Sequence, residues 1–257
     1  MKNSSIILII SLSCLVFNVE AQKMPDAHVI IDKVDANMVS KTSIVKSRMI
    51  IQGRRKSRVV VSKGYTEGNN KSFTEYLAPA REKGTKMLKL EDKLWIYSPS
   101  TDRTIQLSGH MLRQSVMGSD LSYEDMMEDR QLIDMYDAKV AGEETIEDRQ
   151  TWILELNAKV DDVSYAKRKM WIDQKRFVPL KEDLFAKSGE LLKRTRMSDF
   201  EKIDARWYPK KVNYKDMLKL GKGTDFIIIE IETLWNLKGK FNQFIIILKR
   251  TRLSSKR

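Results

Sequence analysis

Ser72-Phe73-Thr74-Glu75-Tyr76-Leu77-Ala78-Pro79, Thr85-Lys86-Met87-Leu88-Lys89-Leu90, Leu94-Trp95-Ile96-Tyr97-Ser98 and Arg103-Thr104-Ile105-Gln106-Leu107 follow one another as short runs of five to eight residues. Each is rich in aromatic or branched side chains, and turn chemistry such as Glu91-Asp92-Lys93 and Ser98-Pro99-Ser100 separates them. Runs of this length and punctuation read as a meander of antiparallel strands.

Working outward, the upstream chain continues the theme. Ser43 to Gly53 alternates imperfectly, with Val45, Met49 and Ile51 on one side, and Arg58 to Ser62 is a second β-branched run. Gly64 and Gly68-Asn69-Asn70 read as breaks after it. Before both, Pro25-Asp26 opens a short helix that sets Ala27, Ile30, Ile31, Val34 and Met38 on one face. Downstream, His110 to Met127 lacks alternation, is broken at Gly118-Ser119-Asp120, and carries Met111, Leu112, Val116, Met117, Met126 and Met127. Ser122 with Asp125 resembles a capping pair, so two short helices are expected there. Strand patterning returns over Ala138–Ile146, Gln150–Ala158, Tyr165–Asp173, Pro179–Ala186, Leu191–Ile203, Trp207–Asn213 and Asp225–Glu232.

So many strands without helices between them argue against a parallel sheet. The expected fold is mainly β: one curved antiparallel sheet, one face in water and the other on a core. The clusters Lys167-Arg168-Lys169 and Lys193-Arg194-Arg196 are expected on the watery face. Two methionine-rich helices lying over the hollow face leave room for a cavity, or for a core that uses methionine as filler.

The first residues address compartment. Lys2 precedes the apolar stretch from Ile6 to Phe17, and Val19-Glu20-Ala21 stands before Gln22 as a peptidase site would. The stretch falls short of the roughly 20 apolar residues a bilayer span needs, so a signal peptide cleaved after Ala21 is expected. An uncleaved anchor and lipid attachment at Cys14 are the alternatives. Without Cys14 the chain has no cysteine, so its stability must come from a buried core. One domain over residues 22–232 accommodates that core. The net charge of +12 asks for an acidic partner, and for an exported chain anionic headgroups fit better than nucleic acid.

Catalytic patterns are missing. His28 and His110 lack metal-ligand spacing, there is no Gly-x-Ser-x-Gly elbow, and Ser108-Gly109-His110 does not replace one. Gly221-Lys222-Gly223-Thr224 departs from the phosphate-loop pattern and reads as a hairpin turn. Glu124-Asp125 and Glu128-Asp129 fit a solvated helix end better than a cation site. No enzyme activity, cofactor or metal is expected.

Five strings carry a family likeness: Glu75 to Ala80 into Lys83-Gly84-Thr85-Lys86; Leu94 to Pro99; Ser108 to Ser115; Met117 to Asp120; and Ser122 to Met126. In this order they resemble the outer-membrane lipoprotein-sorting proteins, the LolA-like periplasmic family, strongly from Met49 to Met127 and onward to about Glu232. The resemblance implies a half-open β-barrel of roughly eleven strands, its concave face covered by short helices that act as a movable lid. It implies a periplasmic protein that shields acyl chains of a lipid or lipoprotein, for lipoprotein sorting or lipid transport to the outer membrane. A monomer meeting an inner-membrane transporter and a membrane surface is expected, and no nucleic acid. The alternative is a sensor or interaction domain of the same fold without lipid cargo. Candidate lipid contacts are Met49, Ile51, Leu77, Leu88, Leu90, Leu94, Ile96, Met111, Leu112, Val116, Met117, Met126 and Met127. The end, Thr233 to Arg257, departs from the family: it carries seven Lys or Arg, no acidic residue and the run Phe244 to Leu248, and low order is expected after about Leu234.

Overall fold

Alternating runs joined by short turns pair with their sequence neighbours, because a hairpin closes a small loop at little entropic cost. A computed structural model describes residues 24–38, 42–53, 55–128, 130–203 and 205–233. It contains helix α1 (Ala27–Met38), then strands β1 (Thr42–Gln52), β2 (Ser57–Glu67), β3 (Lys71–Ala78), β4 (Lys86–Leu90), β5 (Lys93–Ser98) and β6 (Arg103–Leu107). Two 3-10 turns (Gly109–Arg113 and Val116–Gly118), α2 (Tyr123–Met127) and α3 (Leu132–Met135) follow. The chain then returns as β7 (Tyr136–Ile146), β8 (Arg149–Ala158), β9 (Lys167–Asp173), β10 (Pro179–Phe185), β11 (Leu191–Ile203), β12 (Arg206–Asp216) and β13 (Gly223–Thr233).

All thirteen strands form one antiparallel sheet in the order β6-β5-β4-β3-β2-β1-β13-β12-β11-β10-β9-β8-β7. The mainly-β, half-open fold is as expected, with thirteen strands where the family likeness implied roughly eleven. Every consecutive pair of strands is hydrogen-bonded except β6 and β7, and β1 closes the seam with β13. The edges β6 and β7 stay unpaired with each other, and the chain between them, which carries the 3-10 turns, α2 and α3, supplies the cover. Gly64 does not end β2 as expected, since Val45 and Thr74 pair with it on either side and carry the ladder through.

The cover is more broken than two short helices. Met117 and Gly118 both adopt the left-handed conformation, at φ 50° and 72°, which stops each turn before a helix can propagate. The capping box at α2 forms as read: Ser122 Oγ accepts from the Asp125 N–H, and the Asp125 carboxylate accepts from the Ser122 N–H at 2.7 Å.

Two cores result. Ile30, Ile31 and Val34 on the buried face of α1 pack onto Met135, Tyr136, Leu154, Leu156, Met170 and Ile172. Each such side chain contributes roughly 1.5–3 kcal/mol by leaving water. At the other arm, Met87, Leu94, Leu107, Val116 and Tyr123 pack beneath the cover.

Two cations placed on the watery face by sequence point inward instead, Lys193 buried and Arg168 half-buried. Arg168 and Lys193 lie on the concave side, and only their neighbours point outward, because side chains alternate along a strand. No helix among the described residues is long and apolar enough to cross a membrane. The expected signal segment with Cys14 and its cleavage site, Asp129, and the tail from Leu234 onward lie outside the described residues.

Candidate functional site

A cavity of about 500 Å³ lies between the concave face and the helices. Its apolar wall includes Met126, Leu132, Met135, Met170, Leu184 and Met197, and its polar wall Lys89, Asp125, Arg168, Glu182, Lys193 and Thr195. A more open hollow of about 1000 Å³ adjoins it and shares Asn69, Glu128, Arg130, Gln131 and Ser164, so it forms the mouth. The mouth is acidic: Glu91, Asp92, Glu124, Glu128 and Asp162 line it against the single cation Arg130.

The polar wall is built from paired charges. Asp125, fixed by the capping box at the start of α2, accepts from Lys193 Nζ on β11 and, at 2.5 Å, from the Tyr165 hydroxyl. Burial, the largest influence, pushes the Asp125 carboxyl up, but the Lys193 ammonium and the hydrogen bonds from Lys193, Ser122 and Tyr165 together hold it below the usual range. The same burial and the facing Asp125 push the Tyr165 hydroxyl far above its ordinary value. Beside this pair, Arg168 binds Glu182 at 3.1 Å and lies 4.9 Å from the Tyr136 ring centroid. Burial raises Asp35 at the α1 wall, against hydrogen bonds from the Ile133 and Leu132 amides.

The cover is pinned to the sheet at several points. Arg58 on β2 donates to the Met117 carbonyl and to Glu82. Thr224 on β13 donates to Asp120 at 2.8 Å, and Asp120 also accepts from the Asp216 amide at 3.0 Å. Lys89 Nζ reaches the Met127 carbonyl at 3.0 Å and ties the end of α2 to β4.

The thirteen sequence-selected apolar residues divide in three. Leu77, Leu88 and Leu90 face away from the cavity: Tyr76, Met87 and Lys89 take the concave positions, and the period of two sends their neighbours outward. Leu88 instead joins a convex row with Ile44, Tyr65, Phe73 and Trp95. Met49, Ile51, Leu94, Ile96, Met111, Val116 and Met117 face the cover side but pack against one another and their neighbours. Of the thirteen, Met126 lines the cavity, and Leu112 and Met127 line its mouth. Sequence reasoning missed Arg168, Glu182, Lys193 and Tyr165. The signal lies in the strand pairing, which sets Arg168 opposite Leu184 and Leu156, and not in any single run.

A family model described as an uncharacterised protein matches residues 68–241, more than half of the chain. Among solved structures, a domain from Vibrio parahaemolyticus assigned to outer-membrane lipoprotein sorting superposes with TM-score 0.74 at 21% identity, covering 85% of this chain and 97% of that one. A DUF1329 family protein from Desulfovibrio piger gives 0.73 at 24%, covering 82% and 92%. A LolA superfamily protein from Nitrosomonas europaea gives 0.69 at 23%, covering 84% and 97%. No curated protein matches the sequence. The chain therefore belongs to the family of uncharacterised proteins that this model describes, and its fold is the one seen in the LolA-like structures.

Proposed function

We propose that this protein binds acyl chains of a lipid or a lipid-modified protein in the cavity beneath its helical cover, in the periplasm, and serves lipoprotein sorting or lipid transport to the outer membrane. The observation that carries the reading is the cavity itself. Its volume of about 500 Å³ falls in the ligand-site range of roughly 300–1,000 Å³. Methionine side chains at 126, 135, 170 and 197 give the wall the adaptable surface that varied apolar ligands need. The relative from Vibrio parahaemolyticus, assigned to lipoprotein sorting, supports it. Each methylene buried contributes roughly 0.8 kcal/mol, so chain burial alone drives binding and no covalent step is needed.

The wall charges form pairs, Lys193 with Asp125 and Arg168 with Glu182, so they contribute little net charge to the interior. The acyl chain therefore enters while a charged headgroup stays at the mouth. Met49, Ile51, Leu94, Ile96, Met111, Val116 and Met117 meet cargo only when the cover lifts; Met126, Met127 and Leu112 meet it first.

The second reading, an interaction domain of the same fold without lipid, draws on the packing of those seven residues. Mass spectrometry of the full-length protein purified from a Gram-negative periplasm separates the two. Near-stoichiometric phospholipid or acylated peptide supports the carrier; a ligand-free protein that also refuses an added fluorescent fatty acid supports the interaction domain.

A further inference from the structure

The connection from β12 to β13 turns apolar side chains into solvent. Leu218 is 66% and Leu220 79% exposed, and Met217 is 39% exposed. These are the most exposed large hydrophobics at any one turn of the described residues. Lysines interleave them: Lys219, ion-paired with Asp216 at 3.3 Å, sits between the two leucines, and Lys222 follows. The neighbouring β1–β2 turn adds exposed Arg55 and Lys56. The two turns touch, since a Cβ on Gly221 would lie 2.6 Å from the Gln52 carbonyl oxygen. Gly221, at φ 111°, is thus required where it stands, and it fixes the tip against β1.

The geometry points to a bilayer contact: we propose that the β12–β13 tip inserts its leucines into the interface of a membrane that carries anionic headgroups. Leucines among cations match that surface, because apolar burial and attraction to anionic lipid add. A protein partner would have to supply an acidic rim as well as an apolar seat. The acidic mouth does not compete for the membrane, since its β2–β3 and β4–β5 turns lie at the opposite end of the strands. The tip is also wired to the cover. Lys219 Nζ donates to Ser115 Oγ at 2.6 Å and to the Ser119 carbonyl at 3.1 Å. Contact with the bilayer therefore falls on the hairpin that holds the cover down. The proposal stands apart from the cavity reading, because vesicle binding by the tip does not need a lipid inside.

The test is flotation of the full-length protein with vesicles of phosphatidylethanolamine and phosphatidylglycerol, against vesicles of phosphatidylcholine alone. The Leu218→Ser/Leu220→Ser double variant is the comparison, its folding checked by its thermal midpoint, which exposed positions should leave unchanged. The proposal expects binding to the anionic vesicles, weak binding to the neutral ones, and a loss of about tenfold or more in the folded double variant. Equal flotation of parent and variant overturns it. So does a parent that ignores anionic vesicles but self-associates through the tip, losing that association in the variant; the tip would then be a contact between copies.

Discussion

The two arms of the sheet meet the same cover in opposite ways. Over β4 to β6, Met87, Leu94 and Leu107 close against Val116 and Tyr123, and side chains fill the space. Over β10 and β11 the cover stands off, and paired charges from β9 to β11 line the gap it leaves. The difference teaches what each arm is for. A filled apolar contact fixes the cover cheaply but leaves no room. A buried ion pair costs desolvation on both ions, yet it spaces α2 from β11 and keeps the volume between them open.

The sharpest way to break this contrast is to remove one ion. Lys193→Ala leaves Asp125 buried without its cation and is expected to cost about 3–5 kcal/mol of stability in urea unfolding. The double change Lys193→Met/Asp125→Asn removes both charges and should recover most of that loss. A single variant as stable as the parent would mean that the pair does not hold the cover.

Next comes the filled arm. Leu94 is 1% exposed, and Leu94→Ala should cost about 2–5 kcal/mol through the cavity it creates. Fatty-acid affinity of the folded fraction should change less than in a cavity-wall variant, because Leu94 lies packed beneath the closed cover and meets the chain only when that cover lifts.

The complementary change is Leu184→Trp, which fills the cavity from β10. Fluorescent fatty-acid affinity should fall about tenfold, with a stability change of about 1–3 kcal/mol for overpacking. Unaltered affinity would move the ligand site elsewhere.

The smallest effect is on pH. The Asp125 carboxyl is depressed in the folded state, so its stabilising contribution is complete above its ordinary pKa of 3.8 and is lost as pH falls through the folded value. Asp125→Asn should therefore flatten the fall of the thermal midpoint as pH drops below about 4, from a lower starting level.

Strand runs, capping box and α1 face were readable because each rests on local periodicity. All thirteen runs became strands, and Ala27, Ile30, Ile31 and Val34 are buried as their spacing required. The site was less readable. In Met87-Leu88-Lys89-Leu90 apolar and charged residues do not alternate cleanly, so the run alone does not say which face is concave; Leu88 went one way and Met87 the other. Lys167-Arg168-Lys169 looks uniformly solvated, and only pairing of Arg168 with Leu184 and Leu156 fixes it inside. The Lys193–Asp125 contact joins residues 68 apart in sequence, across a cover whose path depends on the left-handed turn at Met117 and Gly118. No local pattern encodes that path.

The most direct test of the central claim is photo-crosslinking. The full-length protein would be loaded with a diazirine-bearing fatty acid, irradiated, and its adducts mapped by mass spectrometry. Saturable labelling of Met126, Met170, Leu184 and Met197 is the result expected of a ligand held over β9 to β12. Labelling confined to residues 87–117, or labelling that excess unlabelled fatty acid does not displace, would contradict it.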